Sequence, residues 1–217
     1  MEYVFTILII FISFIVTKCE AVFHTSEISP NTSITAKVAK MASSDEIYYL
    51  LQEALPELKK QEIPQNSQEF TNFRDWLNEH HSYMQYVEIK EFYDNGISDS
   101  EILKDAQIDT TALEKKIEQD VQQVWKEYGD KYTEEDFEKL SIDEQFDIKI
   151  ELDYEVEKAL FSNIKKVAEE KNLKLFVVVR ENPYWFVLPN DPDKNKKIVD
   201  AFNQVFADGG DTKLLLY

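Results

Sequence analysis

The sequence predicts an α+β protein in which an N-terminal helical region packs on a C-terminal ferredoxin-like β-α-β-β-α-β sandwich. Three observations favour this fold class. Helix-start spacings recur through the first two thirds of the chain, and alternating or β-branched segments are concentrated in the last third. The 217 residues are 43% hydrophobic and include 14 Phe, 11 Tyr and 3 Trp. That is enough apolar material to build a core.

Composition changes divide the chain into four predicted segments. They are a signal peptide at 1–21, a flexible Ser/Thr-rich linker at 22–42, a helical region at 43–140 and a ferredoxin-like α+β domain at 141–217. No internal repeat is visible, so each segment is interpreted by itself.

The first segment contains an apolar run of thirteen residues, 4–16. A helix of that length rises about 20 Å, which is less than the ~30 Å hydrocarbon core of a membrane. Small residues at Cys19 and Ala21 allow cleavage after Ala21, which favours a secreted or periplasmic product without a stable membrane span. Residues 1–3 lack the usual positive charge, and this leaves two alternatives: a cytoplasmic product whose translation starts at Met41, or an uncleaved anchor.

The helical region is predicted to contain four helices, at about 44–60, 67–80, 98–106 and 110–128. Pro56 interrupts the first, because proline lacks the N–H that bonds the previous turn. Gly129 is predicted to end the fourth helix in the left-handed conformation. Residues 81–94 fit either a helix or a strand.

Five spacings of the capping-box type support these helix starts. In such a box a short oxygen side chain accepts a hydrogen bond from the first turn, and a carboxylate three residues later reaches back to the cap. The pairs are Ser43 with Glu46, Asn66 with Glu69, Ser98 with Glu101, Thr111 with Glu114, and Ser141 with Glu144. Together they indicate an α-rich region.

The last third alternates strands with helices. A strand is predicted at 146–152, where apolar and charged residues alternate. The other predicted elements are a helix at 154–171, strands at 173–180 and 184–188, a helix that begins at Asp191, and a strand at 213–217. The first of these strands has an alternative, since residues 141–171 also fit one long helix.

Composition excludes several classes of function. The net charge of −18 and the pI near 4.6 argue against a nucleic-acid partner, because phosphate binding needs a basic face. Four Gly leave no room for Gly-rich phosphate loops, and one Cys excludes a disulfide framework or a Cys-based zinc site. The motifs of serine hydrolases, P-loop NTPases and HExxH zinc proteases do not occur.

Two short patterns fit metal sites poorly. His80 and His81 are adjacent, so on a helix their rings would point about 100° apart. Asp191 and Asp193 begin like a calcium loop, but Lys196 occupies the position at which that loop requires Gly. No catalytic residue, metal or cofactor is therefore predicted.

The negative charge is concentrated in one segment. The net charge is −11 for 41–129, −9 for 130–157 and +2 for 158–217. Clustered carboxylates cost stability by self-repulsion, and a Lys/Arg-rich partner would relieve it. A solvated face that only keeps the protein soluble is the alternative. The candidate partner-binding residues are Glu134, Glu135, Asp136, Glu138, Asp143, Glu144 and Asp147.

Trp185 is a further candidate for partner binding. It belongs to the strip Tyr184-Trp185-Phe186, whose alternation across a strand favours core positions. If Trp185 points away from the helices, however, it is an exposed aromatic residue of the kind that dominates interfaces.

These observations predict a non-enzymatic acidic protein that captures and neutralises a basic protein partner, as an immunity or antitoxin-like inhibitor does. Two alternatives stay open: a secreted hydrolase that acts on glycans or peptidoglycan through carboxylates, and a structural envelope-associated protein. The hydrolase requires a pocket with two convergent acids, at least one of which has a raised pKa.

Overall fold

The computed structural model describes residues 45–88, 95–207 and 212–217. Within these ranges the chain forms a mixed α+β structure, in which one four-stranded sheet has helices on both faces. The helices are α1 (Glu46–Ala54), a 3₁₀ helix (Pro56–Lys60), α2 (Phe70–Leu77), α3 (Glu101–Asp105), α4 (Thr110–Lys131), α5 (Glu134–Glu138), α6 (Ile142–Glu170) and α7 (Pro192–Phe206). The strands are β1 (Gln85–Tyr86), β2 (Leu173–Val179), β3 (Tyr184–Pro189) and β4 (Lys213–Leu216).

The strands are ordered β1-β3-β2-β4 in space, and every neighbouring pair is antiparallel. β2 and β3 form the centre, with Phe176 opposite Phe186 and Val177 opposite Trp185. Because successive side chains of a strand point to opposite faces, the two Phe residues line one face and Val177 and Trp185 line the other. The centre of the sheet is thus buried on both sides.

The first core lies between one sheet face and helices α1, α2 and α7. Aromatic rings dominate it: the ring centroid of Phe73 lies 5.4 Å from that of Phe202, and the centroid of Tyr48 lies 4.8 Å from that of Trp76. The Tyr48 hydroxyl donates a 2.9 Å hydrogen bond to the Ser67 carbonyl oxygen. Burial raises the pKa of Tyr48, so this hydroxyl keeps its proton and remains a donor.

The second core lies on the opposite face of the sheet and includes parts of α4 and α6. The buried residues of α4 lie between 113 and 121 and those of α6 between 156 and 168: Leu113, Ile117 and Val121, then Val156, Leu160, Phe161, Ile164 and Ala168. Spacings of three and four place them on one side of each helix. Asp120 adjoins Val121, the last buried residue of α4. Its Oδ2 accepts a 2.9 Å hydrogen bond from Asn163 Nδ2, which joins α6 to α4.

The strand predicted at 146–152 is wrong, because these residues lie inside α6. The helix begins with a complete capping box: the Ser141 hydroxyl accepts a hydrogen bond from the Glu144 N–H at 3.3 Å, and the Glu144 carboxylate accepts one from the Ser141 N–H at 2.8 Å. No Gly or Pro occurs between Ser141 and Glu170, so nothing in the sequence ends the helix early. The one long helix that the sequence also allowed is the structure observed.

Without that strand, the ferredoxin-like order is not formed. The edge strand β1 comes from the predicted helical region and pairs with β3. In addition, α6 packs in the second core and α7 in the first, whereas the predicted sandwich has both helices on one face. The elements after α6 agree with the sequence, and Asp191 caps α7 by accepting a 3.1 Å hydrogen bond from the Lys194 N–H.

Three of the predicted capping boxes are wrong. Helices α2, α3 and α4 begin after Glu69, Ser100 and Asp109 and not at the predicted caps. The side chains of Ser100 and Asp109 accept hydrogen bonds from the first turn. The observed caps lie three residues after Asn66, two residues after Ser98 and two residues before Thr111.

The N-terminal predictions fall outside the described residues. These are the signal peptide at 1–21, the linker at 22–42 and the cap at Ser43. Within the described ranges, no helix combines the length and the apolar character needed to cross a membrane.

Gly129 lies inside α4, which continues to Lys131, and not at a left-handed helix end as predicted. A Cβ atom added at Gly129 would meet nothing within 4 Å. Gly129→Ala is therefore expected to raise the free energy of unfolding by about 0.5–1 kcal/mol, because alanine has the higher helix propensity. Urea unfolding of the two proteins measures this difference. A loss of stability would show that position 129 needs a left-handed backbone.

Candidate functional site

A helical arm, residues 122–155, contains no buried side chain. It comprises the C-terminal part of α4, all of α5 and the N-terminal part of α6. Val121 and Val156, which adjoin the arm in the sequence, are both buried in the second core. The arm therefore extends past the point at which the buried contacts of α4 and α6 end.

Local hydrogen bonds hold the turn of the arm together. Gln145 Nε2 donates to the carbonyl oxygens of Phe137 and Leu140, both at 3.1 Å, and so ties α6 to the end of α5. The Thr133 hydroxyl accepts a 3.3 Å hydrogen bond from the Asp136 N–H and caps α5. Toward the second core, the partly buried Val124, Trp125 and Leu152 pack against it. The arm is thus held by hydrogen bonds at the turn around α5 and, at its other end, by packing against the second core.

The seven acidic residues predicted to bind a partner all lie in the arm and all are exposed. Four belong to α5 and three to α6. Some already have local partners: Glu135 and Asp136 lie 2.8 and 3.7 Å from Lys139 Nζ, and the hydrogen bonds from Ser141 lower the pKa of Glu144. Among the described residues, Glu134, Glu138, Asp143 and Asp147 form no ion pair. The structure therefore places these carboxylates on one solvent-exposed element.

Trp185 does not supply an exposed aromatic contact. Its side chain is fully buried in the second core, and its Nε1 donates a 2.8 Å hydrogen bond to the Asn95 carbonyl oxygen. The neighbouring Tyr184 and Phe186 pack in the first core. The alternation of the strip therefore reflects two cores, and Trp185 is a structural residue.

A row of exposed apolar side chains runs along the arm part of α6. Its members are Ile142, Phe146, Ile150 and Tyr154, with exposed fractions of 83, 52, 52 and 61%. Positions four apart lie on one helix face, one above the other. The sequence interpretation assigned Phe146 and Ile150 to a strand, so it missed this apolar row. The uninterrupted spacing of four behind the Ser141 cap is the signal that would have revealed it.

An acidic row follows the apolar row one position later along the helix. It consists of Asp143, Asp147, Glu151 and Glu155. Because each residue is rotated by about 100° from the one before it, these carboxylates form the flank on one side of the apolar row. Tyr128 of α4 lies near this flank: its pKa is raised to about 12, first by desolvation and then by the negative charge of Glu151.

The opposite flank of the apolar row is nearly neutral. It consists of Ser141, Gln145, Lys149 and Asp153. Lys149 Nζ lies 3.7 Å from Asp153 Oδ2, so the two charges on this flank face each other. The surface of the arm is therefore apolar in the middle, acidic on one side and balanced on the other.

Two open depressions elsewhere on the helices do not resemble a hydrolase site. One, of about 480 Å³, is lined by Lys165, Lys166, Glu169 and neighbouring residues of α6, and the other, of about 250 Å³, lies between α4 and α6 beside Asp120. A hydrogen bond from Lys174 lowers the pKa of the Glu169 carboxyl group. Hydrogen bonds from Lys116 and Asn163 lower the pKa of the Asp120 carboxyl group. A general acid needs the opposite shift, so these depressions give the hydrolase alternative no support.

Comparison with known proteins adds no relative: no family model, no curated protein and no solved structure matches this chain. The described residues also contain no group of three or more His, Cys, Asp or Glu side chains that could hold a metal ion. The arm is therefore the candidate functional site within the described ranges.

Proposed function

We propose that this chain is a non-enzymatic acidic binding protein that captures and neutralises a basic protein partner, in the manner of an immunity or antitoxin-like inhibitor. The observation that supports this function best is the exposed apolar row of Ile142, Phe146, Ile150 and Tyr154 within the acidic arm. Half of the chain's net charge lies in the same part of the sequence, 130–157.

The clustered carboxylates and the exposed apolar row each cost free energy in the unbound protein, and a partner that covers both removes these costs. Carboxylates held close to one another repel, and Lys or Arg side chains of a partner relieve the repulsion and accelerate encounter. Each large apolar side chain that a partner covers contributes up to about 1.5–3 kcal/mol. A soluble face without function has no need of the apolar row, because exposed Ile and Phe lower solubility.

The protein acts in the compartment in which its partner acts. We place the mature protein outside the cytoplasm, secreted or periplasmic, because the apolar run 4–16 and the small residues Cys19 and Ala21 fit a signal cleaved after Ala21. The alternative product starts at Met41 and stays cytoplasmic. Mass spectrometry of the mature N-terminus distinguishes a first residue of Val22 from Met41 or Ala42.

Binding to the natural partner is expected to depend on the arm carboxylates and on salt. The partner is isolated from the source cells on the immobilised full chain, and its dissociation constant is then measured at several salt concentrations. One variant removes three charges from the arm: Glu134→Gln, Glu138→Gln and Asp147→Asn. A matched control removes three exposed charges elsewhere: Glu62→Gln, Glu170→Gln and Glu181→Gln.

The arm variant is expected to bind about 3- to 100-fold more weakly and with a smaller salt dependence, since three charge contacts of roughly 0.2–1 kcal/mol each are lost. The control is expected to change the dissociation constant less than twofold, although its net charge is changed equally. Equal effects of both variants, salt-insensitive binding, or a partner without a basic face would each contradict the proposed function.

A further inference from the structure

We infer that the element of the partner that binds the arm is an amphipathic basic α-helix. It lies along α6, with apolar side chains over the apolar row and Lys or Arg side chains over the acidic row. This inference rests on the proposed function and specifies the partner of the same surface.

The length of the apolar row fits a short helix. From Ile142 to Tyr154 the helix axis rises about 18 Å, which a partner helix of about 12–14 residues covers. Rows of residues spaced by four form the ridges that interlock when two helices pack. The apolar row is such a ridge, and the acidic row forms the next ridge beside it.

The backbone of α6 also favours a helical partner. The hydrogen-bonding groups of α6 are used within the helix, so it offers no edge with which an extended strand could pair. A strand laid over the apolar row would leave its own N–H and C=O groups unpaired where they are covered. A helix satisfies these groups internally and buries only side chains.

Charge decides between a foreign helix and a second copy of this chain. Residues 122–155 contain 12 Asp and Glu but 4 Lys, so two arms packed against each other would bring like charges together. On the acidic flank, Glu155 already pairs with Lys158 at 2.9 Å, and the carboxylates of Asp143, Asp147 and Glu151 are complementary to a row of Lys or Arg. Because the flank with Lys149 and Asp153 is balanced, the partner helix needs positive charge on one side of its apolar row.

The test uses two dye-labelled 18-residue peptides of identical composition and the full-length chain. In the patterned peptide, Leu occupies every fourth position and Lys the position beside it; in the scrambled peptide, the same residues form no such row. Binding is measured by fluorescence anisotropy at 150 mM salt. The variant Phe146→Ala/Ile150→Ala shortens two exposed side chains of the apolar row, and Tyr49→Ala/Leu216→Ala shortens two exposed apolar side chains outside the arm.

The patterned peptide is expected to bind at least tenfold more tightly than the scrambled one. The Phe146→Ala/Ile150→Ala variant should lose this preference, and the Tyr49→Ala/Leu216→Ala control should keep it. Alanine at exposed helix positions preserves the fold, which circular dichroism verifies.

Two results overturn the inference and leave the proposed function intact. The first is equal binding of both peptides that the Phe146→Ala/Ile150→Ala change does not affect, which indicates capture by charge alone. The second is failure of both peptides while basic proteins are still captured through the arm carboxylates. A dimer in sedimentation that dissociates on Phe146→Ala/Ile150→Ala identifies a second copy as the occupant and overturns both proposals.

Discussion

Replacing Trp185 with alanine is expected to lower the free energy of unfolding by about 3–5 kcal/mol. The indole is fully buried in the second core, between β3 and the helices that cover it. Alanine leaves a cavity there and removes the 2.8 Å hydrogen bond to the Asn95 carbonyl oxygen, itself in a buried residue. Since single domains are typically stable by about 5–15 kcal/mol, this loss is a large fraction of the total.

Urea unfolding followed by circular dichroism measures the effect. Trp185→Phe is the control, because it keeps most of the apolar volume and removes the hydrogen bond, at an expected cost of about 1–3 kcal/mol. If Trp185 were instead an exposed interface residue, alanine would change stability by no more than about 0.5 kcal/mol and would weaken binding of the partner.

Ile150→Pro is expected to unfold the beginning of α6 and leave the two cores folded. Proline removes the N–H that bonds the Phe146 carbonyl oxygen and clashes with the preceding turn, which costs a helix about 3 kcal/mol or more. Because residues 142–150 contain no buried side chain and none of them belongs to or packs against either hydrophobic core, no core contact offsets this cost. The helix from Ile142 to about position 150 is therefore lost, and with it the apolar row.

Hydrogen exchange of the amides at 145–149, which are bonded within the helix, measures this local loss, and circular dichroism measures the smaller helix content. The control Ile150→Ala keeps the helix, because alanine is the best helix former. Full protection of the same amides in the proline variant would show that this segment is not a helix.

The elements after α6 were predictable because their signals are local. The β-branched run of β2 is followed by the Asn182-Pro183 turn, and α7 starts with Asp191 as cap and Pro192 as its first residue. Each signal acts within a few residues of the chain. No distant contact is needed to interpret it, and the structure has these elements where the sequence predicts them.

The segment 146–152 was mispredicted because one pattern fits two periods. Phe146 and Ile150 are four apart, and so are Ile148 and Leu152. On a strand all four share a face, whereas on a helix the two pairs lie on opposite sides. In α6 the first pair is exposed and the second is partly buried, which an alternating pattern alone does not distinguish from a strand.

The sequence predicts the acidic residues of the candidate site but not its exposed apolar row. Exposure of the seven carboxylates follows from the cost of burying a charge, which every fold must respect. The exposure of Ile142 and Phe146 follows from no such rule, because apolar side chains are usually covered. Burial of Trp185 likewise depends on which layer covers its face of β3.

Charge and backbone preference belong to the residues themselves, so the acidic segment, the Ser141 cap, the β2–β3 hairpin and the start of α7 follow from the sequence alone. Three features depend on how the chain folds: α6 is one helix, its N-terminal part has an uncovered apolar row, and Trp185 is buried. Burial is a property of two surfaces that meet. The buried residues of α4 end at Val121 and those of α6 begin at Val156, so the arm between them lies outside the core.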